Sequence, residues 1–155
     1  MNRIILLCAM LTVSFSVMAE PFWWMKKDDH NTLGLFVHAG SQCPFNKLDL
    51  KKAVEGEYLR ARIKPSELLA EPLLLQVTTA CLKLNLEGGI YMGYAMHNDV
   101  YFTTSIDTQK TWLRYDDRSY GGMYMTGSQA KAYMLNQVQD DVSEALTDYL
   151  KANLE

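Results

Sequence analysis

The first nineteen residues decide the chemical setting in which the rest of the chain must fold. Met1-Asn2-Arg3 brings one positive charge, Ile4 to Val17 is almost wholly apolar, and Val17-Met18-Ala19 forms a processing site before Glu20. That run is shorter than the roughly 20 apolar residues a membrane-spanning helix needs. Residues 1–19 therefore read as a cleaved bacterial signal peptide, which leaves no transmembrane segment and places the product in the periplasm or outside the cell. Cys8 follows Leu7 and is itself followed by more signal core, so it reads as an apolar filler lost on cleavage.

Two further cysteines, Cys43 and Cys81, would then meet an oxidising compartment, where an even count reads first as a disulfide. The loop they close is long enough for the chain-entropy estimate to reach roughly 4 kcal/mol, less any strain. No C-x-x-C spacing supports a redox pair.

Composition narrows the partner classes. A formal net charge of −3 without a Lys/Arg cluster argues against nucleic acid, because neutralising phosphates takes a concentrated basic face. Hydrophobic residues at 48% and charged residues at 21% place the chain among folded globular proteins. After the signal, the expected organisation is an aromatic and charged segment over residues 20–32 and one domain over residues 33–155.

Periodicity supplies the elements. Leu33 to Ala39 alternates as a strand, and Leu50, Ala53, Val54, Tyr58 and Ala61 recur at helical spacing after Asp49, a candidate N-cap. Pro65 ends that helix, and Ser66 to Leu69 offers one more helical turn before Pro72. Leu73 to Leu86 is the longest strand candidate, but Leu73, Leu75 and Val77 share one parity and Leu82, Leu84 and Leu86 the other. That switch predicts a bulge at Thr78-Thr79-Ala80. Glu87-Gly88-Gly89 signals a hairpin, and alternation resumes from Ile90 with a kink expected at Asn98-Asp99. Trp112 to Tyr115 is a further strand and Gly121 to Gly127 a loop. Ser128 caps a long amphipathic helix striped by Leu135, Val138, Val142, Ala145, Leu146 and Tyr149. The order β-α-β-β-β-α predicts an α+β two-layer sandwich: a largely antiparallel sheet of about four strands with two helices on one face.

This order, the leader and the ending Leu146-Thr147-Asp148-Tyr149-Leu150-Lys151-Ala152-Asn153 resemble a loose group of small exported bacterial proteins of uncharacterised role. The layout is also similar to the TolB N-terminal domain. The resemblance implies a fold type and an envelope location, and it transfers no catalytic residue.

Chemistry-bearing motifs are scarce. His30, His38 and His97 form no H-E-x-x-H or H-x-H pattern, so no metal or cofactor is expected. Convergence of His38, His97 and Asp99 is the arrangement that would revive a metal site or a divergent hydrolase. Gly40-Ser41-Gln42 and Gly127-Ser128-Gln129 lack the G-x-S-x-G turn that exposes a nucleophile, and a disulfide would consume Cys43 as a thiol. The paired carboxylates at 28–29, 116–117 and 140–141 alternate faces or flank loops. No catalytic residue is assigned.

Contact-type side chains are plentiful instead. Phe22-Trp23-Trp24-Met25 lies near the start of the mature chain, and Tyr120, Met123, Tyr124 and Met125 crowd one short stretch. Such residues either fill a core or form adaptable recognition surfaces. Trp23, Trp24, Tyr120, Met123, Tyr124 and Met125 are the candidate partner-binding residues. The expectation is a non-enzymatic envelope protein that contacts a protein partner. A periplasmic inhibitor of a cell-wall-degrading enzyme, carried on a protruding 116–126 segment, is the alternative.

Overall fold

A computed structural model describes residues 22–66, 71–105, 112–114, 118–127 and 129–154. The signal segment, Cys8, the turn after Ser66 and the Ser128 cap lie outside the described residues.

The elements are β1 (Thr32–Ala39), α1 (Lys47–Arg60), β2 (Lys64–Ser66), β3 (Leu73–Asn85), β4 (Tyr91–Ser105), β5 (Trp112–Arg114), β6 (Met123–Thr126) and α2 (Ala130–Leu154). A short 3₁₀ turn, Trp23–Met25, precedes them. The protein is α+β, with one sheet in the order β2-β1-β3-β4-β5, and β6 also pairs with β4. β1 runs parallel to both β2 and β3, whereas β3, β5 and β6 run antiparallel to β4. The sheet is therefore mixed. The parallel pair follows from the α1 crossover, because a helix returns the chain to the end where β1 began.

Each helix buries one stripe against the same sheet face. α1 contributes Leu50, Val54 and Tyr58, four residues apart, and the Tyr58 hydroxyl donates to the Gly34 carbonyl at 3.0 Å. α2 contributes Met134, Val138, Val142, Ala145, Leu146 and Tyr149. These meet Leu33 and Val37 of β1, Leu75 and Val77 of β3, and Met96, Val100 and Phe102 of β4 in one apolar cluster. At roughly 1.5–3 kcal/mol for each fully buried large apolar side chain, this layer is the main stabilising term.

β1 continues past its end through Gly40 N–H to the Thr79 carbonyl, and the loop that follows is tied down by the Cys43–Cys81 disulfide, with Cα atoms 4.8 Å apart. No bulge occurs at Thr78-Thr79-Ala80. Thr79 is buried and Cys81 half-buried on the helix face, in step with Val77, and the register shift comes at Leu84/Asn85. Leu82, Leu84 and Leu86 switch parity because they lie on the open face, where the β3–β4 hairpin carries little cover. Asn98-Asp99 likewise interrupts nothing, since β4 is continuous from Tyr91 to Ser105. Among the described residues no helix is long and apolar enough to cross a membrane.

Candidate functional site

The open face of the sheet carries the polar residues that a reaction would need. His38, Thr78 and Asp99 stand in one register row across β1, β3 and β4. With strands about 4.8 Å apart, His38 and Asp99 are separated by about 10 Å, so they do not converge. His97 sits one row further along β4, where its Nδ1 lies 3.4 Å from the Gly122 carbonyl.

Asp99 is engaged by neighbours. Arg114 reaches its two oxygens at 2.8 and 3.2 Å, and the Ser119 hydroxyl donates at 2.5 Å. Partial burial works against ionisation, but the Ser119 and Arg114 hydrogen bonds and the arginine charge together hold the carboxyl below its ordinary value. The Arg114 guanidinium also lies 4.0 Å over the Tyr101 ring, while Tyr101 donates to Gln76 and Gln76 to Thr103. The whole patch is a satisfied network. Among the described residues no three His, Cys, Asp or Glu side chains stand together as metal ligands.

A second set of carboxylates works inside the molecule. Asp141 and Asp148, two turns apart on α2, grip the segment that leads into and forms β6. Asp141 accepts from Asn98 at 2.6 Å and from Tyr124 at 2.7 Å; Asp148 accepts from Tyr120 at 2.9 Å and pairs with Arg118. Burial raises the Asp141 pKa, opposed by the Asn98 and Tyr124 hydrogen bonds. Tyr120 is buried beside Phe102, with ring centroids 6.3 Å apart, and Tyr124 is half-buried. Both tyrosines are thus occupied by packing and by their carboxylates.

The two methionines between and beyond them are not. Met123 is 77% and Met125 66% exposed, because residues alternate along β6 and its other parity faces α2. Register places Met125 beside Ala95 and, on the next strand, Leu82. Exposed Leu86, Ile90 and Met92 extend the apolar surface to the hairpin end, where Gly88 and Gly89 turn with positive φ and the Leu86 N–H donates to the Ile90 carbonyl. A cluster of this kind on a water-exposed sheet end is the type of feature that marks interaction sites.

The remaining candidates lie elsewhere. Trp24 is half-buried, edge-on to Phe102 at 5.8 Å, with Met25 fully buried next to it. Trp23 is 66% exposed, at the C-terminal end of α2, where Asn153 donates to the Met25 carbonyl. The structure therefore groups Met123 and Met125 with the hairpin and leaves Trp23 apart. Sequence reasoning gave Leu82, Leu86 and Ile90 no surface role. For Leu82 and Leu86 the available signal is their off-parity placement, which also fits a bulge.

Two shallow depressions of about 540 and 390 Å³ share Pro44 and Lys131 near the N-terminal ends of both helices. There Lys131 is bound to Asp49 at 2.9 Å.

No protein-family model matches the chain, and no curated protein matches it either. Among solved structures it is similar to a minor lipoprotein from Acinetobacter baumannii, at 14% identity and a TM-score of 0.44, over 76% of this chain and 91% of that one. It is also similar to an uncharacterized lipoprotein B from Nitrosomonas europaea, at 13% identity and a TM-score of 0.37, over 77% and 85%. The rare lipoprotein B from Shewanella oneidensis is similar at 14% identity and a TM-score of 0.31, over 77% and 92%.

Proposed function

We propose that this chain is an exported, non-enzymatic binding protein of the bacterial cell envelope that contacts a protein partner through the apolar end of its sheet. The observation that carries this reading is the exposed set Leu82, Leu86, Ile90 and Met92 on the β3–β4 hairpin. Export supplies the compartment, through the leader read from residues 1–19 and the Cys43–Cys81 disulfide. Burying such a surface against a partner removes apolar area from water, at about 25 cal/mol per Å² before the costs of association.

A photo-crosslinking side chain at position 86 tests the proposal in living cells, with one at position 76 on the polar part of the sheet as control. The expected result is one discrete adduct from position 86, absent from position 76 and lost when Ile90→Glu is added. Equal or absent crosslinking from both positions would sink the reading. The inhibitor alternative asks for a protruding loop, and residues 118–126 instead lie paired to β4 and pinned to α2.

A further inference from the structure

β6 has one edge paired and one edge open. Val100 and Tyr120 exchange both main-chain hydrogen bonds, at 2.8 and 2.9 Å, and Asn98 N–H donates to Gly122 at 2.9 Å. Continuing that alternation along the antiparallel ladder, Tyr124 and Thr126 turn their main-chain groups toward β4, opposite Met96 and Tyr94. Met123 and Met125 therefore turn theirs outward. Among the described residues no strand meets them there. Native sheets guard such an edge with lysine, proline or a bulge. β6 has none of these, and no charged residue occurs between Arg118 and Lys131.

The edge also matches itself. Around Tyr124 the sequence Gly121-Gly122-Met123-Tyr124-Met125-Thr126-Gly127 reads nearly the same in both directions. Antiparallel pairing about a two-fold axis sets each residue opposite its mirror position in the other copy. Centred on Tyr124, that register puts Met123 against Met125, small Gly122 against Thr126, and Gly121 against Gly127. It also joins the outward-facing main-chain groups of both methionines, each pair exchanging two bonds. We infer that β6 pairs with β6 of a second copy of this chain, in the register centred on Tyr124, to give a sheet continuous across a two-fold dimer. Two copies of a chain of net charge −3 repel at long range, and the strand itself, with no charged side chain, sets no like-charged pair opposite one another in this register. One short strand and its methionines bury less than the roughly 800 Å² per partner of a standard interface, which places the dimer among weak, reversible associations. Self-pairing does not depend on what docks at the hairpin.

Sedimentation equilibrium of the purified, oxidised protein up to about 0.1 mM, a level that populates a dimer of micromolar affinity, reads the association. The expected result is a mass rising from monomer toward dimer with concentration, and a monomer throughout for Met125→Lys, whose circular dichroism stays that of the parent. Amide hydrogen exchange identifies the surface: Met123 and Met125 gain protection as the dimer forms, while Tyr124, already bonded to β4, changes little. A protein that stays monomeric at 0.1 mM overturns the inference. So does a dimer that survives Met125→Lys, or one in which the Met123 and Met125 amides exchange as freely as in the monomer.

Discussion

Asn98 and Asp141 show how one buried polar contact sets a local pH response. Asn98 is buried on β4, its Nδ2 donates to Asp141, and its Oδ1 has no hydrogen-bond partner among the described residues. Burial raises the Asp141 pKa above 3.8, so the native state keeps that proton to a higher pH than the unfolded chain does. The contribution of this site to stability is therefore greatest at low pH and declines as pH rises from about 3.8 through the folded value. Asp99 has the opposite sign: its pKa is lowered, so its contribution is present above 3.8 and lost as pH falls through the depressed value. Asp141→Asn removes the ionisation, keeps an acceptor for Tyr124, and lets an amide donor face the Asn98 carbonyl once that side chain turns over. The variant is expected to gain on the parent as pH is raised from about 3 to 7, by on the order of 1 kcal/mol at neutrality. Urea unfolding of both proteins across that range checks it. A constant difference would show that Asp141 is not perturbed.

At the scale of elements, the structure explains which boundaries the sequence carried. The α1 stripe is legible because Leu50, Val54 and Tyr58 recur every four residues, but the cap lies three residues before Asp49. Asn46 is the N-cap, accepting from Leu48 and Asp49 N–H at 2.9 Å each, and Asp49 bonds back to the Asn46 N–H at 3.2 Å. Asn and Asp are both strong N-cap residues, so the sequence alone marks either end of the reciprocal box as the cap. β6 resembles a loop in sequence because glycines flank only four strand residues, and its pairing with β4 is a long-range property. Gly93 permits that pairing: its φ is +151°, and a Cβ there would lie 1.9 Å from the Thr126 carbonyl oxygen. Gly93→Ala is expected to push β6 from β4 and to cost roughly 1–3 kcal/mol, with loss of protection at the Thr126 amide in hydrogen exchange. The disulfide was legible from compartment and parity of count. Replacing both Cys43 and Cys81 by serine is expected to cost about 4 kcal/mol and to lower the melting midpoint by roughly 10 °C, measured by calorimetry. An unchanged midpoint would mean that the Gly40–Thr79 pairing holds the loop unaided.

The whole molecule is two layers closed at one end by its own N-terminal segment and left open at the other. Helix and strand content followed from periodicity, but the mixed sheet order did not, because short β2 and β5 leave little alternation to read. The aromatic opening of the domain shows why composition alone could not separate core from surface. Trp24 and Met25 fold back onto Phe102 and the core, while Trp23, between Phe22 and Trp24, stays exposed. Lys27 then joins three parts of the chain: its N–H donates to Asn153 at 2.8 Å, and its ammonium group reaches the Thr32 carbonyl at 2.7 Å and pairs with Glu71. Phe22 lies under the Arg118 guanidinium at 4.6 Å, so the segment also touches the strap held by Asp148. Deleting residues 22–27 exposes Phe102 and frees the end of α2. The expected loss is at least 3 kcal/mol, in line with removal of large buried side chains, with a cooperative transition retained because the α1–β3–α2 core is intact. Urea unfolding followed by far-ultraviolet circular dichroism measures both. A deletion variant of parental stability would mean that the segment merely rests on the domain, and Trp24 would then return to the list of residues open to a partner.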